Sequence, residues 1–74
     1  MPGVFEIVSG AMSRKESIGI IYHGGSNPGS YREILPLKIT LKGKLQAKCL
    51  ASNAVKLFVF DSIEIAAKPV PVPD

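Results

Sequence analysis

The fold is decided between residues 18 and 65, where apolar blocks alternate with turn-like breaks. The blocks are Ile18-Gly-Ile-Ile-Tyr-His23, Tyr31-Arg-Glu-Ile-Leu-Pro-Leu-Lys-Ile-Thr-Leu41, Lys44-Leu-Gln-Ala-Lys-Cys-Leu-Ala51, Lys56-Leu-Phe-Val-Phe60 and Ser62-Ile-Glu-Ile65. Short apolar runs bounded by Gly, Pro, Asn and Ser predict β-strands. We therefore expect a mainly β fold, a small barrel of four or five antiparallel strands within residues 18–65.

A short helix is predicted before the strands, over about residues 4–14. The apolar residues there recur at helical spacing, and basic residues lie where they suit the negative end of the helix dipole. These are Phe5, Val8, Ala11 and Met12, followed by Arg14 and Lys15. The helix should cap the barrel.

The 74 residues form one domain by length, and a chain of this size buries only roughly 60% of its unfolded surface. We expect residues 1–66 to form the barrel domain. Residues 67–74, which include Lys68-Pro-Val-Pro-Val-Pro73, should form an extended proline-rich tail or linker. The single cysteine excludes an internal disulfide, and no stretch reads as a membrane span or secretory signal, so we expect a soluble cytoplasmic protein.

The charge is distributed unevenly along the chain. The formal net charge is +3, and residues 38–56 hold five lysines and no acidic residue. A basic surface attracts anionic partners. A positive face on the barrel is the expected result.

Strand parity gives a predicted register around Gly43. Residues opposite one another in an antiparallel pair share a face, so matching apolar residues predicts the pairs Leu41–Leu45, Ile39–Ala47 and Leu37–Cys49. The connection would be the three residues 42–44 or a bulged equivalent. Lys38 would then lie opposite Lys48, where an anion relieves the repulsion. Alternatively, both ammonium groups extend into water.

The sequence contains no complete catalytic set. Cys49 lies among apolar residues without a partner histidine, and the chain lacks a cluster of metal ligands at suitable spacing. The loop of residues 24–30 is glycine-rich but opens no helix and lacks the Gly-Lys-Ser or Gly-Lys-Thr of a P-loop. We predict that the chain is not an enzyme and needs no cofactor.

Four motifs resemble, in order and spacing, the WYL domain of bacterial regulators. They are Ile20-Ile-Tyr22, Tyr31-Arg-Glu-Ile-Leu-Pro-Leu37, Leu45-Gln-Ala-Lys-Cys49 and Lys56-Leu-Phe-Val-Phe-Asp-Ser-Ile63. The resemblance covers residues 5–65 and implies an SH3-like or Sm-like barrel that binds a negatively charged ligand, such as a nucleotide or single-stranded nucleic acid. Such domains are usually attached to a helix-turn-helix, nuclease, helicase or other nucleic-acid-handling domain.

The resemblance also implies which side chains face the ligand: Tyr22, Arg32 and Lys56. The tryptophan and tyrosine that give the family its name are absent, since Gly43 and Lys44 occupy their positions. Ser62 replaces a further family arginine. These departures weaken any aromatic platform for a base and remove the bidentate fork of arginine at Lys56.

Arg32 is the residue that we expect to be the principal anion contact, because its planar fork suits phosphate. Glu33, its neighbour in sequence, lies on the other strand face and should not neutralise it. Tyr22 and His23 would contact a base or sugar, although a core-edge tyrosine and a solvent-facing histidine remain open. The lysines expected to attract phosphates are Lys38, Lys44, Lys48 and Lys56.

Two functions follow from these observations. The first is a non-catalytic regulatory domain that binds an anionic ligand and controls an attached or partner effector. The second is a protein-interaction or homo-oligomerisation module, in which an apolar strip of Phe58 and Phe60 or an open barrel edge pairs with another chain.

Overall fold

A helix followed by five strands forms the domain in the computed structural model, which describes residues 3–25 and 27–71. The elements are α1 (Val4–Arg14), β1 (Glu16–Tyr22), β2 (Ser30–Ile39), β3 (Lys44–Cys49), β4 (Ala54–Val59) and β5 (Ile63–Pro71), with a short 3-10 helix (Phe60–Ser62) between β4 and β5. The predicted fold class, an N-terminal helix before a small antiparallel β domain, is confirmed.

The five strands form one antiparallel sheet in the order β4-β3-β2-β1-β5. Within the described residues β4 and β5 do not pair with each other, so the barrel is open at this seam. Residues 67–71 of the predicted tail lie in β5, where Val70 and Pro71 pair with Ser17 and Glu16. Residues 72–74 of that tail lie outside the described residues.

Helix α1 packs against the inner face of the open sheet and buries one side of the helix there. Val8 and Ala11, three residues apart, are completely buried, and the helix contacts β1, β2 and β5. It ends at Lys15, which adopts a left-handed conformation (φ 57°) and donates its backbone N–H to carbonyls of Ala11 and Met12. Phe5, which the spacing placed on the apolar side, is 54% exposed.

The core lies between α1 and the inner face of the curled sheet. Its largest completely buried side chains are Phe58, Ile18, Ile20, Ile34, Leu45 and Val8. The rings of Tyr22 on β1 and Phe58 on β4 meet edge to face, with centroids 4.9 Å apart. These strands are not neighbours in the sheet, so the contact shows that the sheet curls far enough to bring β4 back towards β1.

The predicted register of β2 and β3 is wrong. Ile39, not Leu41, lies opposite Leu45, and a bulge between Pro36 and Lys38 shifts the pairing by one residue. Beyond the bulge Pro36 pairs with Ala47, and Ile34 lies opposite Cys49. A bulge reverses which alternate residues face the core, and proline, which has no N–H to donate, is commonly found at one.

The bulge decides which apolar residues are buried. Ile34 is completely buried, whereas Leu37 is 45% exposed and Leu41 is fully exposed. Residues 41–43 form the connection, one residue earlier than predicted, and Gly43 takes the left-handed conformation (φ 75°) that closes it. The predicted Lys38–Lys48 pair does not form, since Lys38 lies opposite Gln46.

Candidate anion-binding site

Arg32 lies on the inner face of β2, half-buried near the open end of the barrel. Its guanidinium carbon is 5.7 Å from the ring centroid of Tyr22 and 5.9 Å from that of Phe58. The Arg32 Nε donates to Ser30 Oγ at 3.3 Å. Cation–π attraction and this hydrogen bond together hold the guanidinium in one place.

The terminal amino groups of Arg32 have no hydrogen-bond partner among the described residues, and no described carboxylate forms an ion pair with it. Glu33 follows it in sequence, but its side chain belongs to the opposite strand face. A guanidinium fixed through Nε keeps its two outer nitrogens available for the parallel hydrogen bonds that a phosphate or carboxylate accepts.

A cleft of about 310 Å³ opens beside Arg32. This volume lies at the lower end of the range for small-molecule sites. Its walls come from the β1–β2 loop, the start of β2 and the end of β3. The residues that line it are Asn27, Ser30, Tyr31, Arg32, Glu33, Cys49 and Ala51.

Cys49 reports the electrostatics of this cleft. Hydrogen bonding from the Ser52 side chain lowers the pKa of the Cys49 thiol below its ordinary value, with smaller contributions from backbone N–H groups and from the Lys56 charge. Burial acts in the opposite direction but does not prevail. Local hydrogen bonds from Ser52 and Ala51, more than the charge of Lys56, therefore favour the thiolate of Cys49.

Lys56 lies on β4, exposed, opposite Ala47 and on the same strand face as Phe58. Its charge reaches Cys49, yet it does not line the cleft in the described part of the chain. Lys56 thus contributes positive potential at Cys49, from the strand next to β3.

The Tyr22 ring packs against the Arg32 guanidinium. Tyr22 is 7% exposed, and its hydroxyl accepts a hydrogen bond from the backbone N–H of Val59 at 2.9 Å. Its ring edge meets Phe58, and its face lies towards the Arg32 guanidinium. The tyrosine is a part of the core that positions the arginine.

His23 lies apart from the cleft. It is exposed, and its Nε2 is 2.9 Å from Oε1 of Glu64 on β5. His23 is not among the described residues that line the cleft. The structure therefore pairs His23 with a carboxylate and does not bring it to Arg32.

The predicted lysine stripe lies on the other side of the sheet. Lys44 and Lys48 alternate along β3 with the buried residues Leu45, Ala47 and Cys49, so they face outward. Lys38, opposite Gln46, shares that outer face. Lys38 and Lys44 line a second cavity of about 660 Å³ beside the exposed Leu41. The predicted site residues therefore divide between two faces.

The apolar strip on β4 is also different from the one expected. Phe58 is 1% exposed, and Phe60 is half-buried against Phe5, with ring centroids 5.8 Å apart. Val55, Leu57 and Val59 form the exposed apolar row instead. Sequence parity identified the two alternate sets but not which one the core would take.

Within residues 3–25 and 27–71, no group of three His, Cys, Asp or Glu side chains could hold a metal ion. No described helix is long and apolar enough to cross a membrane.

Comparison with known proteins adds no relative. No protein-family model matches the chain, and no curated protein sequence matches it. The geometry around Arg32 therefore carries the functional argument, and the WYL resemblance rests on the motifs quoted above.

Proposed function

We propose that this chain is a non-catalytic, WYL-like regulatory domain that binds an anionic ligand in the cleft beside Arg32. The ligand class is a nucleotide or the phosphate of a single-stranded nucleic acid. The observation that carries the proposal is the half-buried Arg32 guanidinium, held by Tyr22, Phe58 and Ser30 and without an acidic partner among the described residues.

The energetic argument starts from the cost of the unpaired charge. A partly buried cation without a counter-ion has lost hydrogen bonds to water, and the hydrogen bonds of a bound anion replace them. Hydrogen bonds to charged groups contribute about 1.5–3 kcal/mol each, and the guanidinium fork can make two of them in parallel. Since packing already fixes Arg32, little side-chain entropy is lost on binding.

The charge around the cleft is mixed but contains more basic than acidic groups. Glu33 lines the cleft, whereas residues 34–60 contain no acidic side chain and Lys56 lies close enough to affect Cys49. The lysines of the outer face, Lys38, Lys44 and Lys48, add to the long-range attraction of an anion without contacting it in the cleft.

The regulatory part of the proposal follows from the resemblance to WYL domains. The free energy of ligand binding would bias the position of an effector, either fused to this domain or bound to it, such as a DNA-binding, nuclease or helicase domain of the bacterial cytoplasm. A ligand can shift such an equilibrium only by its difference in affinity for the two positions.

The test is fluorescence anisotropy of short labelled single-stranded DNA and RNA, each with and without a 5′-phosphate, together with competition by mononucleotides. Arg32→Ala should weaken binding by about 10- to 100-fold, the loss of one charge-assisted contact. Arg32→Lys keeps the charge but loses the fork, and should recover only part of the affinity.

Lys15→Ala is the matched control. It removes an exposed charge at the end of α1, away from the residues that line the cleft, and should change affinity only slightly. Binding that weakens equally in Lys15→Ala and Arg32→Ala would mean that net charge alone attracts the ligand, and the cleft would not be the site.

A further inference from the structure

The outer edge of β4 carries unused backbone groups. The backbone N–H of Phe60 donates to the Gly43 carbonyl, and that of Val59 donates to the Tyr22 hydroxyl. The backbone N–H and C=O groups of even-numbered β4 residues therefore point towards β3, and those of odd-numbered residues point away from it. The backbone groups of Val55 and Leu57 therefore point outward. Within the described part of the chain they have no partner.

The same residues expose apolar side chains. Val55 is 52% exposed, Leu57 is 59% exposed and Val59 is 40% exposed, and all three lie in one row on the outer face of the sheet. Natural edge strands are usually protected by charge, proline or a covering element. An edge that joins free backbone groups to an apolar row is suited to receive another strand.

The charged residues on β4 and directly opposite it on β3 are all lysines. Lys48 lies opposite Val55, and Lys44 lies opposite Val59, on the same outer face. Lys56 projects from the centre of β4 on the other face, between Val55 and Leu57 in sequence, and is exposed. No ion pair involves these lysines among the described residues.

We propose that the β4 edge docks an extended acidic peptide segment of a partner protein as a sixth strand. The alternation of β4 specifies its pattern. Side chains opposite Val55 and Leu57 would be apolar, and the one between them, opposite Lys56, would be acidic, since cross-strand neighbours share a face. Lys44 and Lys48, on the outer face of β3, add long-range attraction for an acidic segment without pairing with its side chains.

Charge distinguishes this occupant from the alternatives. A second copy of the chain brings a net charge of +3 and its own unpaired lysines, whereas an acidic segment is complementary. A single-stranded nucleic acid is also anionic, but the exposed row is aliphatic and offers no aromatic face on which bases stack. Lys56 is common to this edge and to the surroundings of the Arg32 cleft, but it does not line that cleft in the described part of the chain.

The experiment uses fluorescein-labelled, end-blocked peptides of nine residues in which valine alternates with glutamate, serine or lysine. A fourth peptide alternates serine with glutamate. The valine–glutamate peptide should bind at least about tenfold more tightly than each of the others, a difference of about 1.4 kcal/mol. Amides of residues 55 and 57 should become protected from hydrogen exchange when it is bound.

Variants locate the binding to the edge. Leu57→Pro removes an outward N–H without removing a bond to β3, and Leu57→Ser removes the apolar contact; each should reduce affinity at least about tenfold. Lys56→Glu should reverse the preference, so that the valine–lysine peptide binds best. Leu37→Ser, which changes an exposed leucine at the β2 bulge, is the matched control and should bind as the parent chain does.

Four outcomes would overturn the proposal. One is no binding of the valine–glutamate peptide up to about 1 mM, which corresponds to about 4.1 kcal/mol of binding free energy. Another is equal binding of the valine–serine peptide. The third is concentration-dependent self-association that Leu57→Ser abolishes, which would make a second copy the occupant. The last is protection of residues 55 and 57 by single-stranded DNA in place of the peptide.

Arg32→Ala should leave peptide binding unchanged, which separates this test from that of the cleft.

Discussion

Replacing Tyr22 by Phe tests how the open barrel holds its first and fourth strands together. The change removes only the hydroxyl that accepts the Val59 N–H at 2.9 Å. The ring remains edge to face with Phe58, at a centroid distance of 4.9 Å, so the packing beneath Arg32 is kept. The effect therefore isolates one hydrogen bond across the seam.

The expected cost follows from the partner that is left behind. A backbone N–H that loses its partner in a partly buried setting costs about 1–2 kcal/mol. For a domain of this size, each kcal/mol lowers the midpoint of thermal unfolding by about 4–8 °C. Tyr22→Phe should lower the midpoint by about 4–16 °C, and the Val59 amide should exchange with solvent faster.

Circular dichroism on heating and amide hydrogen exchange measure the two effects. Tyr31→Phe is the control, because the Tyr31 hydroxyl makes no hydrogen bond with a described residue and the side chain is 56% exposed. Its effect should stay within about 0.5 kcal/mol. An unchanged midpoint and unchanged Val59 exchange in Tyr22→Phe would refute the hydroxyl as the contact that holds β1 to β4.

Three further changes probe the register, the packing and the cleft. Ile34→Ala should lower the free energy of unfolding by about 2–5 kcal/mol in urea denaturation, whereas Leu37→Ala should change it by less than about 0.5 kcal/mol. Equal losses in the two variants would contradict the bulged register. Gly19→Ala on β1 places a methyl against the Tyr31 hydroxyl and 2.9 Å from the Cβ of Ala67 on the neighbouring strand β5, and should cost about 1–3 kcal/mol by the same measurement; a neutral result would contradict this close packing. The Cys49 thiolate should form below pH 9.0, so alkylation by iodoacetamide should reach its half-maximal rate below that pH, and Ser52→Ala should move the midpoint upward because the largest cause of the lowered pKa is removed; a midpoint unaffected by Ser52→Ala would contradict the assigned cause.

Local patterns were sufficient to predict the helix and the antiparallel strands. Val8 and Ala11 repeat at helical spacing, and the strand blocks are separated by residues that favour turns. These signals act over a few residues and do not depend on the rest of the chain. The bounds of α1 agree with the predicted range of residues 4–14.

The register of β2 was not predictable in the same way. Ile34 and Leu35 are adjacent and both apolar, so either alternate set of this strand could face a core. Pro36 has no N–H to donate and therefore favours a bulge or an edge, but the bulge shifts the pairing by a single residue, and its benefit depends on how Ile34 and Ile39 both pack inward. That packing is a tertiary effect.

The candidate site likewise has features that the sequence predicts and features that depend on tertiary packing. Arg32 was predicted as the main anion contact because of its chemistry, and the structure gives it aromatic support from Tyr22 and Phe58. Strand alternation without a bulge predicts that Arg32 and Lys38 share one face, whereas the bulge between Pro36 and Lys38 places Arg32 on the inner face and leaves Lys38 on the outer face. Cys49, which reasoning from sequence assigned to packing, lines the cleft at its edge.

The most direct test of anion binding beside Arg32 is a titration with a 5′-phosphorylated dinucleotide, followed by NMR of the ¹⁵N-labelled chain. Binding in the cleft predicts saturable shifts of the Arg32 Nε–H and of the backbone amides of Ser30 and Cys49, and Arg32→Lys should reduce the two amide shifts. Shifts confined to Lys38, Lys44 and Lys48 would place the anion on the outer face of the sheet and contradict the cleft as the binding site.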